Sequence, residues 1–367
     1  MEWLQDILFA VFTLGDTVGE GFVALSLGFA AQATGLGFLF GAALMLIFQS
    51  VVPVSFQVEG LTVVSRRNNG DWRGMCYTAM LAGIVGAILG GIGVYGTIVG
   101  FIGEAIQGGM MAGAGLILSI VAFDLLRENW KIGITSAIVA YLLFIPMSII
   151  SPDWALIIAL AGSVTAGVIA GRILGAYEPV VSKPEIEKVS LIPRSWAEIK
   201  AYITKPSVIR ATLAILALRT GTSIAYGAID SDLLAGRVAN PDVVNVTSGV
   251  GSLFSGMFGG ANVEPIISAT AAAPHPIFSG VLMMVLMGAL LLFGILPKLG
   301  KLVPTQAIVG FLLVLGTLII IPENLPILMA DPVPGAVAAG VTAASIDPFL
   351  GMLVAITVRV LMGMFGG

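Results

Sequence analysis

Carboxylates, amides and one arginine lie in stretches that are otherwise apolar, and their neighbours decide what chemistry they could do. The string Gly259-Gly260-Ala261-Asn262-Val263-Glu264-Pro265 puts an amide and a carboxylate among residues that open a helix. The freed N–H and C=O groups could bind a polar ligand. Glu264 could accept two donors from a planar heterocycle, or take up a proton because burial disfavours the charged form. The competing reading is a Glu264 paired with Arg219 only to hold helices together. A second string, Val52-Pro53-Val54-Ser55-Phe56-Gln57-Val58-Glu59-Gly60, has the same character. Gln57-Val58-Glu59-Gly60 echoes Asn262-Val263-Glu264-Pro265. Gln57 and Glu59 are therefore the expected counterparts of Asn262 and Glu264. Phe56 could stack on an aromatic ligand, and Asn262 offers a donor and an acceptor. Arg219-Thr220-Gly221-Thr222 lies within another apolar stretch, where an arginine needs a partner: Glu264, Glu59 or an anionic substrate.

The surrounding chain explains where such groups must sit. Of 367 residues, 57% are apolar, 47 are Gly and only 10% are charged. Mean hydropathy is +1.04. Soluble domains carry roughly 25% charged residues, so a soluble enzyme is excluded. The chain reads as an all-α, multi-pass protein of the cell (plasma or inner) membrane, in contact with the lipid bilayer. No basic patch suits nucleic acid. One Cys and one His exclude disulfide frameworks and Cys- or His-cluster metal sites. Neither a phosphate-binding nor a dinucleotide-binding motif is present, so the expectation is no enzyme, no cofactor and no metal. The N-terminal MEWLQDILFAVF lacks a signal-peptide pattern and reads as part of the mature protein.

About 20 residues cross a bilayer as a helix. Fourteen candidate spans emerge: 17–33, 35–50, 53–65, 74–96, 106–126, 132–150, 153–174, 208–229, 242–258, 260–273, 277–296, 302–321, 333–345 and 347–365. Residues 3–14 read as an extra interfacial or half-crossing helix. The chain then divides into a first transmembrane repeat (1–176), a polar linker (177–207) with an amphipathic piece around Ser195–Tyr202, and a second repeat (208–367). The two short, Gly/Pro-broken segments are each third in their half. A 7+7 inverted repeat with matched broken segments is the pattern of a secondary transporter, with its site where those segments meet.

Fourteen of the 17 Lys and Arg fall on one face of this layout, including Arg66, Arg67, Arg73, Arg127, Arg172, Arg210 and Lys298. The positive-inside rule then places the linker in the cytoplasm and both ends of the core outside. Asp16, Glu20 and Asp124 read as interfacial, and His275 as a loop residue.

The string VTSGVGSLFSGMFGGANVEPIISATAAA, followed by KLVPTQAIVGFLLVLGTLIII, resembles the second half of the xanthine/uracil permease family, whose nucleobase/cation symporters include an adenine/guanine/hypoxanthine branch. That family has a Gly-rich ninth span, a broken tenth, and a substrate-binding Glu five residues after the opening Gly. Gly259 to Glu264 has this spacing. PVSFQVEG and IQGGMMAGAGLILSIVAF are similar to its third and fifth spans. Where the family has an acidic residue in the eighth span, this chain has Leu218 and then Arg219. The resemblance implies core and gate domains, a homodimer formed through the gates, and broken segments that meet near the midplane with small β-like pieces. It implies a nucleobase or similar planar solute held by Phe56, Gln57, Asn262 and Glu264. A coupling cation, a proton, would act through Glu264 or Glu59, with alternating access. Glu59, Arg219, Thr220 and Thr222 complete the expected substrate-binding set. Two other readings compete: a sulfate- or bicarbonate-type anion transporter of the same architecture, favoured by Arg219, and an ion-conducting or structural subunit of a membrane complex.

Overall fold

A computed structural model describes residues 2–175, 179, 196–228, 230–231, 235–237 and 240–365. Most of the expected linker, 180–195, lies outside the described residues. The first half comprises α1 (Glu2–Ser26), α2 (Ala31–Phe48), β1 (Val54–Ser55), α3 (Val58–Arg67), α4 (Trp72–Gly91), α5 (Tyr95–Ile102), α6 (Glu104–Glu128), α7 (Trp130–Ile150) and α8 (Pro152–Leu174). Next come α9 (Trp196–Ile203), α10 (Pro206–Ala228), α11 (Pro241–Met257), β2 (Glu264–Pro265), α12 (Pro276–Leu292), α13 (Ile295–Gly300), α14 (Val309–Val314), α15 (Ile321–Leu328), α16 (Pro332–Ser345) and α17 (Pro348–Phe365).

Helix punctuation follows the sequence. Pro152, Pro241 and Pro276 each occupy the first helical position, where a missing N–H costs nothing. The Asn240 side chain accepts the Val243 N–H at the start of α11. Gly175 closes α8 in the left-handed region. The amphipathic piece anticipated before the second half is α9, which lies across the start of α4 with Tyr202 stacked on Tyr77 at 4.8 Å.

Among the described residues, eight helices are long and apolar enough to cross a membrane, or nine if the pair α9–α10, bent by 61°, forms one span. The protein is a multi-pass membrane protein. The expected count of fourteen is not matched by fourteen full-length helices: α11 and α12 have 17 residues each and α16 has 14. The two short segments are not continuous helices. One is β1 followed by α3; the other is β2 followed by a 3-10 turn, Ala269–Ala272. The expected separate helix 3–14 is continuous with α1. Asp16 and Glu20 are therefore well inside a 25-residue helix rather than at its start.

Packing partners recur between the halves. α2 packs on α12, and α4 on α11. α7 packs on α8, and α16 on α17. α1 meets α12 and α8, while α10 meets α4 and α17. The closest approaches use small residues, as expected where lipid removes any hydrophobic drive between helices. A Cβ on Gly83 of α4 would lie 2.6 Å from the Gly249 carbonyl oxygen of α11, and one on Gly249 would lie 2.8 Å from that of Gly83. The main apolar core runs through α1, α2, β1, α12 and α14, with Phe38, Phe56, Met284, Leu291 and Phe311 fully buried.

Candidate functional site

The two broken segments meet. β1 and β2 pair antiparallel, with Val54 opposite Pro265 and Ser55 opposite Glu264. Non-helical backbone at this depth needs partners from surrounding protein, and it has them. The Ile266 N–H donates to the Pro53 carbonyl. The Ala261 N–H donates to Thr34 Oγ1 at 2.9 Å, and Ser255 Oγ donates to the Ala261 carbonyl at 2.5 Å. Ser252 Oγ donates to the Val263 carbonyl at 2.8 Å and accepts the Val263 N–H at 3.0 Å. Gly259 supplies the turn out of α11 with φ +100°, a conformation that side chains with a Cβ rarely adopt.

Arg219 of α10 reaches this crossing with no solvent exposure. Its Nε donates to Glu264 Oε2 at 2.6 Å and its Nη2 to Glu264 Oε1 at 2.5 Å, a bidentate pair. Nη1 donates to the Ala82 carbonyl of α4 at 2.9 Å, and Nη2 also approaches Ser252 Oγ at 3.3 Å. Nη1 lies in the space left by the missing Cβ of Gly86. One side chain thus ties α10 to α4, α11 and β2. Of the three partners the sequence offered Arg219, the structure supplies Glu264.

Asn262 and Gln57 both border Gly60. Asn262 Nδ2 donates to Glu264 Oε1 at 3.1 Å. A Cβ on Gly60 would lie 3.5 Å from both Asn262 Nδ2 and Gln57 Oε1. Asn262 Oδ1 and Gln57 Nε2 are buried without hydrogen-bond partners. Glu59, in the first turn of α3, is 3% exposed and makes no ion pair among the described residues.

Other expected residues fall elsewhere. The Phe56 ring packs edge-on against Phe38 at 5.2 Å inside the apolar core, so it is not brought to Gly60. Thr220 and Thr222 are buried, and their hydroxyls donate to the carbonyls of Ala217 and Arg219 within α10. Glu20, read as interfacial, accepts a 2.9 Å bond from Ser55 Oγ of β1. His275 immediately precedes α12; its backbone N–H and Nδ1 each lie 2.8 Å from a carboxylate oxygen of buried Asp6. Asp124 pairs with Arg66 at the surface.

Sequence reasoning missed Ser252, Ser255 and the Ala82 carbonyl. The two serines recur every three residues from Gly249, which puts them on one face of α11. That small polar face was the available signal.

No protein-family model and no curated protein matches the chain. Solved structures do. The transmembrane domain of the cyanobacterial bicarbonate transporter BicA superposes with a TM-score of 0.58 at 19% identity, covering 93% of this chain and 97% of that one. The murine anion transporter Slc26a9 in its inward-facing state gives 0.67 at 13% identity, covering 99% of this chain and 68% of that one. A second SLC26A9 structure gives 0.66 at 13% identity, covering 100% and 66%. The resemblance to xanthine/uracil permeases is therefore corrected: the matching folds are those of BicA and SLC26A9. The Gly-rich approach and the Gly259–Glu264 spacing encode how a broken segment is built, not what it binds. At this distance the likeness is one of fold: the chain is a multi-pass membrane protein that shares the fold of the BicA transmembrane domain and of about two thirds of SLC26A9.

Proposed function

We propose that the chain is a secondary transporter of a small anion of the sulfate or bicarbonate type, working by alternating access. The observation that carries this reading is the β1–β2 crossing inside a fold that covers nearly all of the BicA transmembrane domain. The matched packing of α2 on α12 with α4 on α11 supports two inverted repeats, 1–176 and 208–367, joined by 177–207. A homodimer belongs to the same proposal.

Charge favours cation coupling. Arg219 and Glu264 neutralise each other, whereas Glu59, beside Gly60 in α3, makes no ion pair among the described residues. An anion about 5 Å from an ionised carboxylate would be repelled by roughly 3 kcal/mol at an effective dielectric near 20. Binding a proton or sodium ion at Glu59 removes that penalty, which links one cation to one anion. Glu264, gripped by Arg219, is the poorer carrier.

The test is uptake by proteoliposomes of labelled sulfate, and of hydrogencarbonate followed by internal pH. Saturable uptake driven by an inward proton or sodium gradient, and lost in Glu59→Gln, is expected. Non-saturating conductance, or no anion uptake under any gradient, would overturn the reading.

A further inference from the structure

A cavity of about 380 Å³ opens at the end of α8, far along the chain from the crossing. It is lined by Gly171, Arg172 and Gly175, and by Lys301 and Leu302 just after α13. The glycines leave room and the two long side chains supply positive charge. α8 lies directly on the turn Thr305–Ile308, where a Cβ on Gly167 would come 2.4 Å from that of Ala307. The cavity therefore sits where α8 meets the chain leaving α13. Arg172 makes no ion pair among the described residues. Lys298, one turn before Lys301, adds a third exposed cation. The flanks are apolar and exposed. Ile169 and Ile173 share a face of α8 with Arg172, and Leu299 and Leu302 are exposed on α13 and just beyond it.

Contacts between helix ends put this cavity at the basic end of the molecule. Gln306 Nε2 donates to Glu128 at the end of α6 at 3.1 Å. One turn earlier in α6, Asp124 pairs with Arg66 of α3. The next residue, Arg67, shares Asp347 with Arg210 at the start of α10. The positive-inside rule makes this end cytoplasmic, and the cytoplasmic leaflet is the one rich in anionic lipid. We propose that the cavity holds the phosphate of an anionic phospholipid. Arg172 is its forked ligand and Lys301 its point charge, and the acyl chains run along the Ile169–Ile173 and Leu299–Leu302 flanks. A soluble anion would meet the same cations but gain nothing from the flanks. α13 leads from α12, which packs on α1 and α2, toward α14, which packs on α6 and α7. A lipid held here steadies the joint between two packing groups. The proposal does not depend on the transport reading.

The experiment is thermal stabilisation of the purified full chain in an uncharged detergent by phosphatidylglycerol, phosphatidylcholine or glycerol phosphate, since a ligand of the folded state raises the melting temperature. Wild type is compared with Arg172→Gln/Lys301→Gln. The control, Arg73→Gln/Lys200→Gln, removes two cations from the same end but outside the cavity. Phosphatidylglycerol is expected to stabilise wild type at concentrations at least about tenfold lower than either of the others. The cavity variant should need at least about tenfold more of it, the scale of two cations against an anionic lipid. The control should stay within about threefold of wild type. Arg172 and Lys301 are exposed, so replacing them leaves the core intact; should the double variant still fail to fold, an at least about threefold loss in Arg172→Gln alone decides. Equal stabilisation by the two lipids overturns the proposal. Glycerol phosphate acting as well as phosphatidylglycerol makes this a soluble-anion site and overturns the lipid. An equal loss in the control makes the attraction one of diffuse surface charge and overturns the site.

Discussion

The Arg219–Glu264 pair can be taken apart quantitatively. Arg219→Met would leave the Glu264 carboxylate, 1% exposed, with the Asn262 amide as its remaining donor, and would remove the guanidinium bond to the Ala82 carbonyl. Glu264→Gln would leave a fully buried guanidinium facing a neutral amide. Each single change is expected to cost about 3–5 kcal/mol, the range for an uncompensated buried charge. The double variant has no charge left to compensate, and a glutamine at 264 can still accept from Asn262. What remains is the lost Arg219 bond to the Ala82 carbonyl, which keeps its place within α4, about 0.5–1.5 kcal/mol. The coupling energy should therefore reach about 3 kcal/mol or more. Reversible unfolding in mixed micelles, titrated with a denaturing detergent, measures all four proteins. Single costs that add to within about 0.5 kcal/mol would refute the claim that the pair acts as a unit. The same four proteins also test the ligand role of Arg219. If the pair only positions β2, the double variant should retain anion binding within about tenfold of wild type. A folded double variant that no longer binds would make Arg219 a direct anion ligand.

Three further outcomes follow from the packing. Asp347, 4% exposed, receives Arg67 at 3.0 Å and Arg210 at 3.3 Å and accepts the Leu350 N–H at the start of α17. Asp347→Ala should cost about 2–4 kcal/mol, read as a lower melting temperature, because it removes a cap and a shared counter-ion. Gly83→Ala would drive a Cβ to 2.5 Å from the Leu253 backbone nitrogen of α11 and should cost at least about 1–3 kcal/mol, whereas Gly340→Ala, with nothing within 4 Å in mid-α16, should be neutral or stabilising by up to about 1 kcal/mol. Asp6→Ala should free His275 and the adjoining start of α12, and Trp3, stacked on the imidazole at 4.5 Å, should report the loosening by its fluorescence.

How much of this was legible depended on whether the signal lay in side chains or in backbone. Pro53, Gly259, Gly260 and Pro265 disfavour a continuous helix, so the broken segments stood out, as did their equivalence. Arg219 had to find a partner, and Glu264 was one of three named. The continuity of α1 was not legible, because Asp16 and Glu20 look like boundary residues in an apolar sequence. Ser55 shows why Glu20 is tolerated, and Ser55 comes from a segment 35 residues away. Phe56 looked available to a ligand because it neighbours Gln57, but alternation along an extended strand sends adjacent side chains to opposite faces. Its ring goes to the core while Gln57 borders Gly60. The Ala82 carbonyl could not be foreseen, since any residue supplies one. The family resemblance misled for a related reason: glycine spacing around a broken segment reports the path of the chain, which unrelated substrates can share.

The ion pair and the broken segment are best understood together. A broken segment in a membrane is held only if something fixes it, and charged groups fix it strongly in a low-dielectric interior. A lone arginine would do this and also attract any anion without discrimination. Arg219 is instead matched by Glu264 in the segment it holds, so the anchor carries no net charge. The pair is thus an anchor for β2 that adds no net charge to the crossing. Glu264→Gln combined with Arg219→Met should therefore cost stability without changing the net charge at the crossing.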